Sequence, residues 1–291
     1  MELSSKETSK LNNIIMNKIN FETACGFSSV LGLILSIIGL FKINMCSTTI
    51  IFIIIIIIFV FVCTLSIWQY DKIKKYSDCE NQIREISNNL IANKENIINQ
   101  NISDIILQLV RVCTNISNAF EIVKKNKIGV CIKYVNSEND NLYVKTLCRD
   151  INSYDNREDF DKLKNLDYLT QNTDFTHIMN LMKEKVEYKY LFYCQNNLDN
   201  TYQYNNTHLK EINIPPSIFA YFQRKKKWPL PYKSTIVVPL LKENNLNGFL
   251  CIDSPDSKCF IKEKDVAIVQ QIALILQDLI NFICVNHLQI K

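Results

Sequence analysis

Two apolar segments near the N-terminus constrain this chain more than any other feature. The first covers about residues 24–43 and carries no charge before Lys42, and the second covers about residues 48–68 and contains an uninterrupted run from Ile53 to Ile58. Each is close to the ~20 apolar residues that an α-helix needs to cross a bilayer. A secretory signal peptide does not fit, because no small-residue cleavage site follows the first segment and the second comes at once. The sequence therefore predicts a two-helix transmembrane hairpin.

The distribution of cations predicts the orientation of this hairpin. Lysines and arginines concentrate in the tail before the first segment and in the stretch after the second, whereas the short link between them has only Lys42. Positive charges remain on the cytoplasmic side. The 11 cysteines are odd in number and form no Cys-x-x-Cys pair, which fits a reducing compartment. We therefore expect a multi-pass protein of the cell membrane with both termini cytoplasmic. The cations on the two sides are Lys6, Lys10 and Lys18, then Lys72, Lys74, Lys75 and Arg84.

The first predicted membrane helix has a face of small residues. Ser28, Gly32 and Ser36 recur at four-residue spacing, a pattern that lets a second helix approach closely. The sequence predicts helix packing through these three residues and a homo-oligomer in the bilayer. Plain anchorage is the alternative interpretation.

A long helix is predicted to connect the membrane segment to the rest of the chain. No proline or glycine occurs between Asp71 and Lys125. An apolar stripe with heptad spacing predicts a short coiled coil, and a helix packed on its own domain is the alternative. The stripe consists of Cys79, Ile83, Ile86, Leu90, Asn93, Ile97 and Gln100. The predicted organisation is a tail over 1–23, a hairpin over 24–70, a connecting helix over 71–101 and a soluble domain over 102–291.

The soluble domain mixes strands and helices in an order that predicts an α+β fold. Alternating residues on both sides of the turn at 137–141 predict a β-hairpin. A helix is expected after Thr173, two further strands after Ser234, and a long amphipathic helix over 263–285. Such an order predicts an antiparallel sheet with helices packed on one side.

One stretch of the domain resembles the GAF family. It consists of the strand Ser234 to Leu240 ending near Pro239, a short turn and the glycine-led strand Gly248 to Ser254. Phe260 follows, and then Asp265, which opens the last helix. The resemblance covers about 50 residues, and the element order extends it from residue 102 onward. It implies a small-molecule sensor domain that often dimerises through its first and last helices. The residue sets of the cyclic-nucleotide, bilin and methionine-sulfoxide members are not reproduced, so the resemblance names no ligand.

Several polar residues are candidates for binding a small ligand. A group just before a predicted helix could receive an anion at the helix N-terminus, although ordinary capping explains it as well. Others follow a predicted strand or form the basic run at 224–227, which could equally be a solvated loop or contact lipid phosphates. The candidate ligand-binding residues are Thr170, Asn172, Thr173, Asp174, Asn196, Arg224, Lys225 and Asp253.

The motifs present favour a sensor over an enzyme. No glycine-rich phosphate loop, Gly-x-Ser-x-Gly or His-Glu-x-x-His motif occurs, so no catalytic or metal-binding residue is proposed. A net charge of +4 is too small to predict nucleic acid as a partner.

The sequence predicts a membrane-anchored cytosolic sensor of a small anionic ligand such as a nucleotide, and it identifies no cofactor. The hairpin could itself act as the membrane effector, because the last helix lies at the end of the chain. The alternative is a membrane scaffold whose domain binds a protein partner and no small molecule.

Overall fold

A computed structural model describes residues 48–138, 141–154, 167–201, 204–207, 228, 230–243 and 245–286. Internal contacts divide the chain into two units, Met1–Gln69 and Tyr70–Lys291. The predicted first membrane helix, with Ser28, Gly32 and Ser36, lies outside the described residues, so its packing stays a prediction.

Helix α1, Thr48–Ile98, covers the second predicted membrane segment and the predicted connecting helix. Its part in the first unit exposes large apolar side chains, including Ile57 at 61% and Phe59 at 68%. Among the described residues, the helix Lys262–Asn286 is long and apolar enough to span a membrane, and over half of its most apolar stretch is buried. That helix belongs to the core of the second unit. The two predicted membrane helices are therefore not confirmed.

In the residues that the structure describes, the second unit contains an antiparallel sheet of six strands, numbered along the chain and arranged in the order β3-β2-β1-β6-β5-β4. Every pair of neighbouring strands is antiparallel, and the first strand of the unit lies beside the last. This confirms the predicted hairpin and the α+β class. The strands are β1 Gly129–Glu138, β2 Asn141–Arg149, β3 Asp167–Tyr168, β4 Tyr193–Gln195, β5 Ser234–Lys242 and β6 Asn245–Ser254.

Helices cover both faces of the sheet, whereas the sequence predicted helices on one side. The second unit's part of α1 packs with helices α2, Ile102–Lys124, and α5, Lys262–Asn286, against one face. Helix α4, Thr173–Lys183, covers the other, and a short helix α3, Ile151–Tyr154, follows β2. The central strands bury both of their faces, so the sheet needs an apolar layer on each side.

The stripe predicted to form a coiled coil packs on its own domain. Cys79, Ile83 and Ile97 are buried in the core, with Ile86 and Leu90 packed against it. This is the alternative that the sequence left open, and self-association through the stripe stays unconfirmed.

The segment 188–194 is rich in aromatic residues, a composition typical of a strand, but most of it is not a strand. Residues Tyr188–Tyr190 form a 3-10 turn, and pairing with β5 begins at Tyr193, opposite Val237. Continuing the ladder would bring residue 191 opposite Pro239, which has no N–H to donate. The pairing therefore stops where the proline stands.

Candidate functional site

The face of the sheet under α4 is the candidate site, and we call it the α4 face. Its centre is apolar: Phe175 of α4 stacks on Phe249 of β6 with ring centroids 4.6 Å apart. Ile178 and Val237 are buried in the same cluster. The centre is therefore a packed core that holds α4 on the sheet.

Polar and charged side chains gather at one end of this face. Asp253 lies near the end of β6, directly opposite Thr235 of β5 and Gly129 of β1. Arg149 ends β2 opposite Cys131, a residue of the apolar centre. Directly opposed residues share a face, so these groups converge from four strands. Arg149 is 7% exposed and Asp253 5%.

Asp174, on the first turn of α4, adds a second carboxylate and is 5% exposed. Its charge acts on the sheet below. Burial is the main cause that raises the pKa of Tyr193, and the charge of Asp174 is the second. It also acts on Cys251, whose pKa is raised chiefly by its hydrogen bond with Cys131 and by burial. Asp174 thus faces the same end of the sheet as Asp253.

Gly129 provides the space in which the Asp253 carboxylate lies. A Cβ atom at this position would stand 2.8 Å from Asp253 Oδ1 and 3.3 Å from Ser153 Oγ. Any side chain here would push against the carboxylate, so Gly129 fixes the approach of Asp253 to β1.

Aromatic rings border the site beyond Asp174. Tyr193 contacts the ring of His177 at a centroid distance of 5.7 Å and that of Tyr204 at 6.4 Å. Tyr204 is fully buried and also neighbours Trp228 at 6.4 Å. Burial raises the pKa of the Tyr204 hydroxyl well above its usual range. These rings therefore form a packed aromatic cluster at the border of the site, in which the Tyr204 hydroxyl is neutral.

Some predicted site residues serve the structure instead. The side-chain amide of Asn172 donates to Thr207 Oγ1 at 2.8 Å and accepts from the Thr207 N–H at 3.1 Å. Thr173 exchanges two hydrogen bonds with the backbone of Asn205. The start of α4 is thus tied to segment 204–207.

Asn196 is likewise engaged in a structural contact. Its amide donates to the Phe260 carbonyl at 2.6 Å and accepts from the Phe260 N–H at 2.9 Å. Thr170 is exposed on a short 3-10 turn. Arg224 and Lys225 lie outside the described residues. Of the predicted set, Asp253 lies on the α4 face of the sheet and Asp174 on the first turn of the helix that covers it.

Sequence reasoning missed Arg149 because of a β-bulge. The pairing register shifts between Ile132 and Lys133, so that Ile132 opposes Cys148 while Lys133 opposes Thr146. Leu147, between them, has no partner on β1. This extra residue exchanges the faces of the sheet to which the last residues of β2 point. A regular strand would have turned Arg149 to the opposite face. No sequence pattern in this strand marks the bulge.

Within the described part of the chain, no group of three His, Cys, Asp or Glu side chains could hold a metal ion.

The sequence matches no protein-family model, and no curated protein is similar to it by sequence. Solved structures of similar shape include the GAF domain of a phosphoenolpyruvate-protein phosphotransferase from Coxiella burnetii, with 12% identity, coverage of 72% of this chain and 96% of that one, and a TM-score of 0.41. Another is the type II free methionine-R-sulfoxide reductase from Thermoplasma acidophilum, with 12% identity, coverage of 62% and 96%, and a TM-score of 0.38. Similarity at this level assigns neither a family nor a ligand to the chain.

Proposed function

We propose that the protein is a membrane-anchored cytosolic sensor whose domain binds a small ligand at the polar end of the α4 face. The observation that carries this proposal is the convergence there of three nearly buried charged side chains, Arg149, Asp174 and Asp253. Burying charges is costly, and such groups concentrate where a protein binds or reacts. The resemblance of residues 234–254 to the GAF family agrees with a sensing role.

The charges at the site define the ligand that fits. Arg149 favours an anionic group, because its guanidinium can bind a carboxylate or phosphate in a bidentate manner. Asp174 and Asp253 accept hydrogen bonds and disfavour a second anion beside them. The ligand therefore carries one anionic group and at least one hydrogen-bond donor, and nucleotides, with a phosphate and a base amino group, remain the leading class.

A contiguous set of contacts could carry a change at the site to α1. Asn196, which follows β4, holds the backbone of Phe260 just before α5. Asp265, on the first turn of α5, accepts hydrogen bonds from Lys124 of α2 and from the hydroxyl of Tyr76 on α1. We call Tyr76, Lys124 and Asp265 the Tyr76 junction. Movement of the segment after β4 would thus change the position of α1, which leads toward the predicted bilayer segments.

Ligand binding is expected to raise the unfolding temperature of the full-length protein in detergent. Suitable probes are AMP, ATP, cyclic AMP, cyclic GMP and a panel of free amino acids, measured by thermal shift. A ligand at 100 times its dissociation constant stabilises by about 2.7 kcal/mol. Arg149→Gln and Asp253→Asn should each weaken binding about ten-fold, which removes about 1.4 kcal/mol of that stabilisation.

Asp278→Asn is the matched control, because Asp278 lies on α5 and pairs with Lys94 and Lys242 away from the α4 face. It should leave the ligand-induced shift unchanged. If no probe shifts the wild type, the scaffold interpretation is favoured. If a probe shifts all three variants equally, the ligand binds elsewhere.

The predicted orientation determines which cysteines a membrane-impermeant maleimide can label in intact cells. Cys46, in the link between the predicted spans, should be labelled in intact cells, while the domain should not be. Cys259 is buried, so Ser257→Cys in the adjacent exposed turn is the better reporter. It should react only after the membrane is permeabilised. Labelling of Ser257→Cys in intact cells would place the domain outside.

A further inference from the structure

Lysines of α2 and α5 lie against the ring of Tyr76 on α1. Lys264 of α5 places its ammonium 4.8 Å from the centroid of the Tyr76 ring, and Lys124 of α2 places its own at 5.1 Å. Lys124 is neutralised by buried Asp265. Lys264 is half-buried and has no carboxylate within ion-pair distance in the described part of the chain. The ring thus holds Lys264 at the surface of the domain.

Further cations surround this point. Lys72 lies one helical turn before Tyr76 on α1. Burial lowers the pKa of Lys264, and the charge of Lys72 lowers it further. Lys125, which is exposed just after α2, acts on Asp71 together with Lys74 and Lys75. Asp71, which pairs with Lys75, opposes these lysines, and Glu80 and Asp265 both act on Lys264. The surface therefore carries an excess of positive charge, and the folded structure holds these lysines near one another although their charges repel.

The position of these lysines in the chain indicates their partner. Lys72 follows Tyr70, which is 70% exposed and comes directly after the apolar part of α1. Aromatic residues followed by lysines are typical of the cytoplasmic interface of a membrane helix. Lys125 and Lys264 belong to the folded domain but meet the same stretch of α1. They extend the juxtamembrane basic segment into a surface.

We propose that Lys72, Lys125 and Lys264 form a surface that binds anionic phospholipid headgroups. This inference rests on the proposed membrane anchor, but it concerns a separate, electrostatic contact of the domain. Near an anionic leaflet each lysine contributes about a five-fold factor to binding, and the attraction falls off within a Debye length, about 10 Å at 0.1 M salt. Lipid composition would then influence the Tyr76 junction, because Lys264 contacts its ring.

The test uses the full-length protein in nanodiscs of phosphatidylcholine alone or of equal parts phosphatidylcholine and phosphatidylserine. The rate at which a water-soluble acetylating reagent modifies each lysine is measured by mass spectrometry. Lys125 and Lys264 should react about five-fold more slowly in the anionic discs, and the difference should vanish in about 1 M salt, where the Debye length is about 3 Å. Equal rates in the two lipids would overturn the proposal.

Lys183 and Lys185 are the internal controls, because they are exposed at and just beyond the end of α4 on the other side of the sheet. Their rates should not depend on lipid, and equal slowing of these lysines would also overturn the proposal. In the variant Lys264→Gln, Lys125 should be slowed less by the anionic discs than it is in the wild type, because the surface has lost one of its charges. Resistance of the membrane-bound protein to alkaline carbonate tests the anchor separately, so failure of one proposal is distinguishable from failure of the other.

Discussion

Lys124→Met is expected to lower the free energy of unfolding of the domain by about 3–5 kcal/mol, the cost of leaving a buried charge without its partner. Lys124 and Asp265 are nearly inaccessible to water, with side-chain exposures of 5% and 0%. Lys124 also donates to the Tyr76 hydroxyl at 2.7 Å. Methionine keeps most of the side-chain volume, so the loss would report the charge and not a cavity.

Denaturant unfolding of the full-length protein in detergent, followed by tryptophan and tyrosine fluorescence, measures this loss. Lys94→Met is the matched control, because the Lys94–Asp278 pair is 44% and 41% exposed and an exposed pair contributes at most about 1 kcal/mol. The double variant Lys124→Met, Asp265→Leu should recover much of the stability, since no buried charge remains. A cost for Lys124→Met no larger than that for Lys94→Met would show that the Tyr76 junction contributes little.

The penalty should also depend on pH in a defined direction. Burial raises the pKa of Asp265 above its ordinary value of 3.8, while Lys124 and the Ile261 N–H oppose that shift. Removing Lys124 removes the main opposing charge, so the pKa of Asp265 rises further in the folded variant. A group with a raised folded pKa contributes stability below its ordinary pKa and loses it as pH rises through the folded value. The cost of Lys124→Met should therefore shrink in acid.

The architecture of the domain could be predicted further than its site. Patterns of period 2 on each side of the turn at 137–141 predicted β1 and β2, because the side chains of a strand point alternately to the two faces of the sheet. The second face of the sheet was missed because Cys131 and Cys251 are small, and sequence alone does not show that α4 covers them. Fold class follows from local periodicity, whereas the allocation of helices to faces depends on long-range packing.

The site was predictable only where side-chain chemistry and regular geometry coincide. Asp253 lies in the regularly paired part of β6 that begins at Gly248, and Asp174 lies on the first turn of a helix, so both were identified as candidates from their place in the pattern. Arg149 depends on the bulge before it, and Asn172 on a partner, Thr207, that lies far along the chain. Such pairings are set by tertiary contacts, which a periodic pattern does not record.

Gly248→Ala is expected to destabilise the domain by about 3 kcal/mol, at the upper end of the cost of overpacking. A Cβ at this position would lie 2.1 Å from the Lys133 carbonyl oxygen and 3.2 Å from the Tyr134 Cα. Both are backbone atoms of β1, which β6 pairs at this point, so neither can move without separating two central strands. The cost would therefore be a loss of sheet pairing and would appear in the unfolding free energy from denaturant titration.

Gly129→Ala provides the comparison. Gly129 pairs with β6 in the same ladder as Gly248, but a Cβ at Gly129 would meet a side chain and not the backbone. Its nearest neighbour is Asp253 Oδ1 at 2.8 Å, and a carboxylate can rotate away where a backbone carbonyl cannot. We expect a smaller loss of stability than for Gly248→Ala, but a weakened thermal shift with the ligand, since the displaced group belongs to the proposed site. Equal destabilisation by the two alanines would mean that β1 and β6 can separate at little cost. A normal ligand response in Gly129→Ala would remove Asp253 from the site, because its carboxylate cannot keep its position once that Cβ is present.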